Sequence, residues 1–235
     1  MPGKKEPDAF SAESLVQLLS QIDPKTDETP IQNFKFNVLK ARVLQATALE
    51  ISDNFPKIYK KISAESTISF ADVGLALYHV YTEQALVTAV SASEAYFKDR
   101  LAYAIQNDKR LLNRFADKEL KVKRILDAGL DLSNAIGILI VENMNFQILG
   151  NVQIEYKRIF DFEPFTKEEL KKLKEIFAIR HVIVHKSGIA DHLFISETGL
   201  NYQVGNRLFF ERDEILRMIE FIDRTVSKIN SKLGG

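Results

Sequence analysis

Apolar residues recur at helical spacing along the first two thirds of the chain. From Ile31 they follow steps of three and four residues, until Asn54 and Pro56 are predicted to interrupt the helix. A second, longer pattern begins at Ser69, a candidate N-cap, and ends near Gln106. The same spacing predicts shorter helices at about 108–116, 118–128, 131–142 and 147–159. This part of the chain is therefore predicted to be helical.

The last third of the chain carries the clearest start and stop signals. Thr166 and Glu169 have the spacing of a capping box, which predicts a helix that runs to about Lys186, with Gly188 as a left-handed C-cap. Three apolar segments are then predicted as short strands, the last two joined by a Gly-Asn turn: Leu193–Ile195, Asn201–Val204 and Arg207–Phe210. Alternating steps of four and three residues predict a final helix over 212–232.

These elements predict an all-α fold in two parts. Residues 1–30 form an N-terminal arm, with a short helix at 14–22 followed by a polar linker. Residues 31–235 form a helical bundle with a four-helix up-and-down core, extra helices and a small β-hairpin before the C-terminal helix. A short isolated helix is marginal in water, so the arm is expected to pack on the bundle or on a neighbouring chain.

Composition narrows the class of protein. The chain has 235 residues, of which 46% are hydrophobic, enough to bury a core and too many for a disordered chain. It has no cysteine, which excludes disulfides, thiolate metal sites and a cysteine nucleophile. Lys plus Arg and Asp plus Glu balance at 32 each, so nucleic acid could be attracted only by a local patch. With neither a targeting segment nor a membrane-spanning run, a soluble, cytoplasmic protein is expected.

The end of the capping-box helix is the stretch most informative about chemistry, because it carries Arg180, His181 and His185. At 100° per residue these side chains fall away from the apolar core face of the helix, with Phe177 and Val184 among them. A face that mixes cationic or titratable groups with apolar ones is typical of a subunit interface or a cleft.

Arginine and histidine together suit phosphodiester chemistry. A guanidinium binds phosphate oxygens and keeps its charge, and an imidazole can donate or accept a proton near neutral pH. In RNA the 2′-hydroxyl is an internal nucleophile, so neither a protein nucleophile nor a metal is required. The alternative is a plain structural role, since His185 and Lys186 in a last helical turn also favour the helix dipole. No acidic third ligand accompanies the histidines, so no metal site is predicted.

Two further features carry charge in unusual places. Glu94 lies on the apolar stripe of the long second helix, so it is predicted either to form a buried salt bridge or to orient Arg180 or a histidine. The stretch from residue 98 to residue 124 holds nine cations and four acids. Its Arg110, Arg114 and Lys121 are candidate contacts for an RNA backbone, the alternative being an ordinary solvated face.

The motif Arg180-His-Val-Ile-Val-His185 resembles the Arg-His signature of the HEPN superfamily, in which four to six residues separate the two. Residues 183–188 resemble its Ile-Val-His-Asn-x-Gly variant, and residues 93–99 are similar to a Glu-containing stretch of the RiboL-PSP-HEPN branch. The helix–hairpin–helix ending predicted over 193–233 resembles the same branch. The resemblance covers roughly residues 70–235.

The resemblance implies a homodimer in which two Arg–His motifs share one cleft. It implies a metal-independent endoribonuclease without a cofactor, of a kind found in toxin–antitoxin, phage-defence and RNA-processing systems. Arg180 would hold the phosphate, His185 would move the proton, His181 would assist and Glu94 would orient. Lys186 would contact the RNA, and the products would end in a 2′,3′-cyclic phosphate.

Some members of the superfamily have lost catalysis. The alternative function is therefore a non-catalytic dimeric module that binds nucleotides or a protein. An antitoxin or a nucleotidyltransferase is the partner that the resemblance suggests.

Overall fold

Helices form almost all of the regular structure in the part of the chain that the computed structural model describes. That part comprises residues 29–62, 70–116, 119–120, 122–127, 129, 132–211 and 213–234, without the side chains of 56–62, 70–73, 122, 124 and 132–134. The predicted helix at 14–22 lies outside it. The α-helices are α1 Pro30–Ile62, α2 Phe70–Asn107, α3 Val122–Asp127, α4 Leu132–Val141, α5 Leu149–Phe160, α6 Lys167–Lys186, α7 His192–Thr198 and α8 Glu214–Lys232.

Helix α2 is the centre of the fold, because α1, α4, α5, α6 and α8 all contact it. The core lies between these helices and takes its side chains from their apolar stripes. The stripe predicted for the last helix is confirmed, since five of its members are at most 1% exposed: Ile215, Ile219, Ile222, Val226 and Ile229. The prediction of an all-α fold is confirmed for the described residues.

Helix α4 makes a close backbone contact with α2. A Cβ atom placed on Gly137 of α4 would lie 2.2 Å from the carbonyl oxygen of Ala102. The backbone N–H of Gly137 also donates to the side chain of Gln106, at 3.2 Å. Glycine is therefore the residue that allows these two helices to approach so closely.

Two helix predictions need correction. Helix α1 runs through Asn54 and Pro56 to Ile62. The fixed φ of proline is compatible with a helix, although an interior proline removes one backbone hydrogen bond and is unfavourable there. Packing also stabilises this part of α1, since Phe55 is buried in the core. The segment predicted as a helix over 108–116 is a 3₁₀ helix, Lys109–Phe115.

The predicted strand at Leu193–Ile195 is wrong, because these residues lie in α7. The Asp191 side chain accepts the backbone N–H of Phe194 at 2.9 Å and caps this helix, which ends at Gly199 with φ 65°. An N-cap side chain of this kind favours a helix over a strand in a segment too short to show a period.

The predicted β-hairpin is not confirmed, because no sheet forms within the described residues. The segment after α7 pairs instead with the residues that follow α6. The backbone N–H of Leu208 donates to Gly188 at 2.7 Å, and the N–H of Ala190 donates to Asn206 at 2.9 Å. An isolated antiparallel bridge joins Ile189 and Arg207. Within the described part of the chain, no helix has both the length and the apolar character to cross a membrane.

Candidate functional site

Helix α6 positions the candidate catalytic side chains. Its predicted capping box is confirmed, because Thr166 accepts the N–H of Glu169 at 3.2 Å and Glu169 accepts that of Thr166 at 2.8 Å. The helix ends at Ser187, whose backbone has the left-handed conformation, and the N–H of Gly188 donates to the carbonyl of Val182 at 3.1 Å. Four side chains face the core and fix the rotation of the helix: Leu173, Ile176, Ile179 and Val182.

Arg180 and Glu94 meet between α6 and α2. A guanidinium nitrogen, Nη2, lies 3.8 Å from Oε2 of Glu94, and the two side chains are only 15% and 14% exposed. The prediction that Glu94 has a charged partner is therefore confirmed, and of the partners that the sequence left open, Arg180 lies within salt-bridge reach. Burial raises the pKa of the Glu94 carboxyl, and the positive charge of Arg180 opposes part of that rise.

The guanidinium retains hydrogen-bonding capacity beyond this pair. Its Nε atom is buried and has no acceptor among the described residues. A buried donor without a partner is unfavourable, so this N–H carries a cost in the structure. Arg180 thus lies within ion-pair distance of Glu94 but beyond the range of a hydrogen bond.

His181 and His185 lie side by side on the exposed face of α6. Their ring centroids are 4.6 Å apart, with the ring planes inclined by 45°. Both side chains are exposed, so either ring can exchange a proton with solvent or with a ligand. Lys186 follows them, with its Nζ atom 3.7 Å from the Asp191 carboxylate that caps α7.

The mixed face predicted for α6 is narrower than the sequence suggests. The prediction that Phe177 lies on that face is wrong, because Phe177 is 9% exposed and packs in the core of the chain. The exposed apolar side chains at this end of α6 are Val184, Ile189 and Leu193, which are 46%, 44% and 57% exposed. These three side chains are called the α6–α7 patch below.

The basic segment lies apart from Arg180. Residues 94 and 107 of α2 are separated by about 20 Å along the helix axis, and the 3₁₀ helix follows residue 107. Within it Arg110 forms two hydrogen bonds of 2.9 Å with Asp108, and Arg114 donates to the carbonyl of Arg158. Lys121 lies outside the described residues. Arg110 and Arg114 therefore lie apart from the Arg180 site within one chain.

A shallow, open cleft of about 520 Å³ lies beside Glu94. One wall is a face of α2 formed by Ser91, Glu94, Ala95 and Lys98, and the other is the loop 142–147 between α4 and α5. The sequence analysis did not predict that this loop forms part of the site, although its several side-chain amides between two helices could have indicated a binding loop. It is called the Glu94 cleft below.

The described residues contain no group of three or more histidine, aspartate or glutamate side chains that could hold a metal ion. Buried His79 belongs to a different cluster, where the Glu83 carboxylate accepts a hydrogen bond of 2.8 Å from Arg207.

The chain matches no family model, no curated protein and no solved structure. Its function therefore has to be inferred from its own residues.

We expect Glu94→Ala to lower the free energy of unfolding by about 1–3 kcal/mol, because it leaves the mostly buried Arg180 without its charged partner. Chemical denaturation of the variant against the wild type measures this change. The same substitution in an Arg180→Ala background should cost less, because the partner is already absent. An equal cost in both backgrounds would show that the pair makes no contribution to stability.

Proposed function

We propose that the protein is a metal-independent endoribonuclease of the HEPN type, active as a homodimer. The observation that carries the proposal is the pairing of Arg180 with Glu94 beside two exposed histidines on the same helix. This combination supplies a fixed positive charge for a phosphate and titratable groups for proton transfer. The four-helix up-and-down core predicted for the fold belongs to the same proposal.

In the proposed reaction the RNA 2′-oxygen attacks the adjacent phosphorus. The proton of the 2′-hydroxyl passes to the imidazole of His185, and the bond from phosphorus to the 5′-oxygen breaks. The departing 5′-oxygen receives a proton, from His185 of either chain or from His181. Arg180 stabilises the negative charge that develops on the phosphate, and Glu94 holds the guanidinium in position. The products are a 2′,3′-cyclic phosphate and a 5′-hydroxyl.

The geometry of α6 favours a site shared between two chains. Arg180 and His185 are five residues apart, which separates them by about 140° around the helix. Arg180 turns towards α2, whereas His185 is exposed, so one chain does not present both to a single phosphate. A two-fold axis beside this face would bring the histidines of one chain to the arginine of the other. The α6–α7 patch supplies the apolar contact that such an interface needs.

We expect light scattering at micromolar concentration to give about twice the chain mass of 26.8 kDa. Leu193→Glu should shift the protein towards the monomer, because it places a charge in the α6–α7 patch. Ile154→Glu is the matched control, since Ile154 is also exposed but lies on α5, outside the patch. A wild type that stays monomeric at this concentration would refute the shared site.

The function itself is tested by incubating the purified protein with total RNA in the presence of a chelator. Cleavage should persist, the new ends should be 2′,3′-cyclic phosphates, and DNA should remain intact because it lacks the nucleophile. A dimeric wild type that cleaves no RNA would instead favour a non-catalytic binding module.

A further inference from the structure

The Glu94 cleft shares a side chain with the proposed catalytic centre. Glu94 lines the cleft and also pairs with Arg180. A group bound in the cleft is therefore separated from the guanidinium by one carboxylate. Given the proposed function, the cleft lies where the nucleotide next to the cleaved phosphate would be held.

The loop that forms one wall is already ordered by its own contacts. The side-chain oxygen of Asn145 accepts the N–H of Gln147 at 2.9 Å, and the side chain of Asn151 donates to the carbonyl of Asn145 at 3.1 Å. Phe146 anchors the loop, since it is only 5% exposed. Because the loop is already ordered, ligand binding does not incur the entropic cost of ordering it.

The chemistry of the lining favours a base over a phosphate. Two carboxylates, Glu94 and Glu142, line the cleft, and Lys98 is the one cation among its lining residues. Because Arg180 pairs with Glu94, and Glu142 and Lys98 carry opposite charges, the cleft has no excess positive charge to hold a phosphate, whereas a flat neutral base needs none. Ala95 and Met144 offer apolar contact for the face of a base, and Asn143 offers an amide for its edge.

We propose that the Glu94 cleft binds an unpaired nucleobase next to the cleaved phosphate and prefers bases that carry an amino group over uracil. Adenine, cytosine and guanine each present an N–H₂ donor, which a carboxylate or an amide oxygen accepts. Uracil instead presents a single N–H between two carbonyl oxygens, and those oxygens would face the carboxylates of Glu94 and Glu142. This proposal rests on the proposed function, because it assigns a subsite of the same centre.

The test measures binding separately from cleavage. Fluorescent 2′-O-methyl oligomers of adenine, cytosine and uracil cannot be cleaved by internal attack, and their affinities follow from fluorescence anisotropy. We expect the adenine and cytosine oligomers to bind about fivefold more tightly than the uracil oligomer, or better. Asn143→Ala should reduce this preference, and Ala95→Leu should abolish it by filling the cleft.

Matched controls are available for both variants. Asn201→Ala and Ala76→Leu change exposed residues of the same types outside the cleft, and both should retain the wild-type preference. Equal binding of all three oligomers by the wild type would overturn the proposal, as would a preference that the cleft variants leave unchanged. A selective wild type that cleaves no RNA would overturn the nuclease and leave the cleft standing. A wild type that cleaves RNA but binds all three oligomers equally would overturn the cleft proposal and leave the proposed nuclease standing.

Discussion

His185→Ala is expected to reduce RNA cleavage by about 10²- to 10⁴-fold while the protein remains folded and dimeric. The imidazole is the proposed carrier of the 2′-hydroxyl proton, and removing a general acid–base group typically costs a factor of this size. Because the side chain is exposed in the last turn of α6, the loss of stability should be about 1 kcal/mol or less. Cleavage of a labelled RNA and a denaturation curve measure the two effects separately.

The matched control is His192→Ala. His192 is also exposed and begins α7, but it lies outside the Arg–His motif, so cleavage should stay at the wild-type rate. Arg180→Ala should also abolish cleavage, with a larger loss of stability because Glu94 then loses its partner. Retained cleavage in the His185→Ala protein, or wild-type cleavage that stops when a chelator is added, would refute the mechanism.

Gly137→Ala is expected to lower the free energy of unfolding by about 2–3 kcal/mol, which is large for the addition of one methyl group. The new Cβ would lie 2.2 Å from the carbonyl oxygen of Ala102 and 3.2 Å from the backbone nitrogen of Gln106. Both contacts are with backbone atoms, so α4 and α2 would have to move apart. The midpoint of chemical denaturation measures the loss.

Gly150→Ala provides the matched control in the first turn of α5. A Cβ at Gly150 would meet no atom within 4 Å, so alanine should stabilise the helix by about 0.5–1 kcal/mol. The two substitutions make the same chemical change and are expected to act in opposite directions. Stabilisation by both would mean that the contact between α4 and α2 is looser than the structure indicates.

The parts of the fold that the sequence predicts well are those decided by local chemistry. The capping box of Thr166 and Glu169 needs only neighbouring residues, and the stripe of α8 repeats often enough to identify a buried face. The position of Glu94 on an apolar stripe likewise predicted a partner, and Arg180 is that partner. In the first two cases the signal lies within one helix, whereas the partner of Glu94 comes from a second helix, α6.

The parts that the sequence predicts poorly depend on contacts between distant segments. The residues at Leu193–Ile195 are too few to show a period, and their helix depends on the cap from Asp191. Phe177 lies at an angle that suited the exposed face of α6, yet neighbouring helices cover it. The Glu94 cleft exists only because the loop 142–147 lies against α2, a contact that no local pattern encodes.

The contact between α1 and α8 has a consequence for protein synthesis. Asp223 of α8 binds Lys35 and Arg42 of α1, so residues from opposite ends of the domain meet. During translation, α1 and α2 leave the ribosome with part of their apolar surface still uncovered, and α8 covers it only at the end. A nascent chain that lacks Glu214–Lys232 should therefore be prone to aggregation.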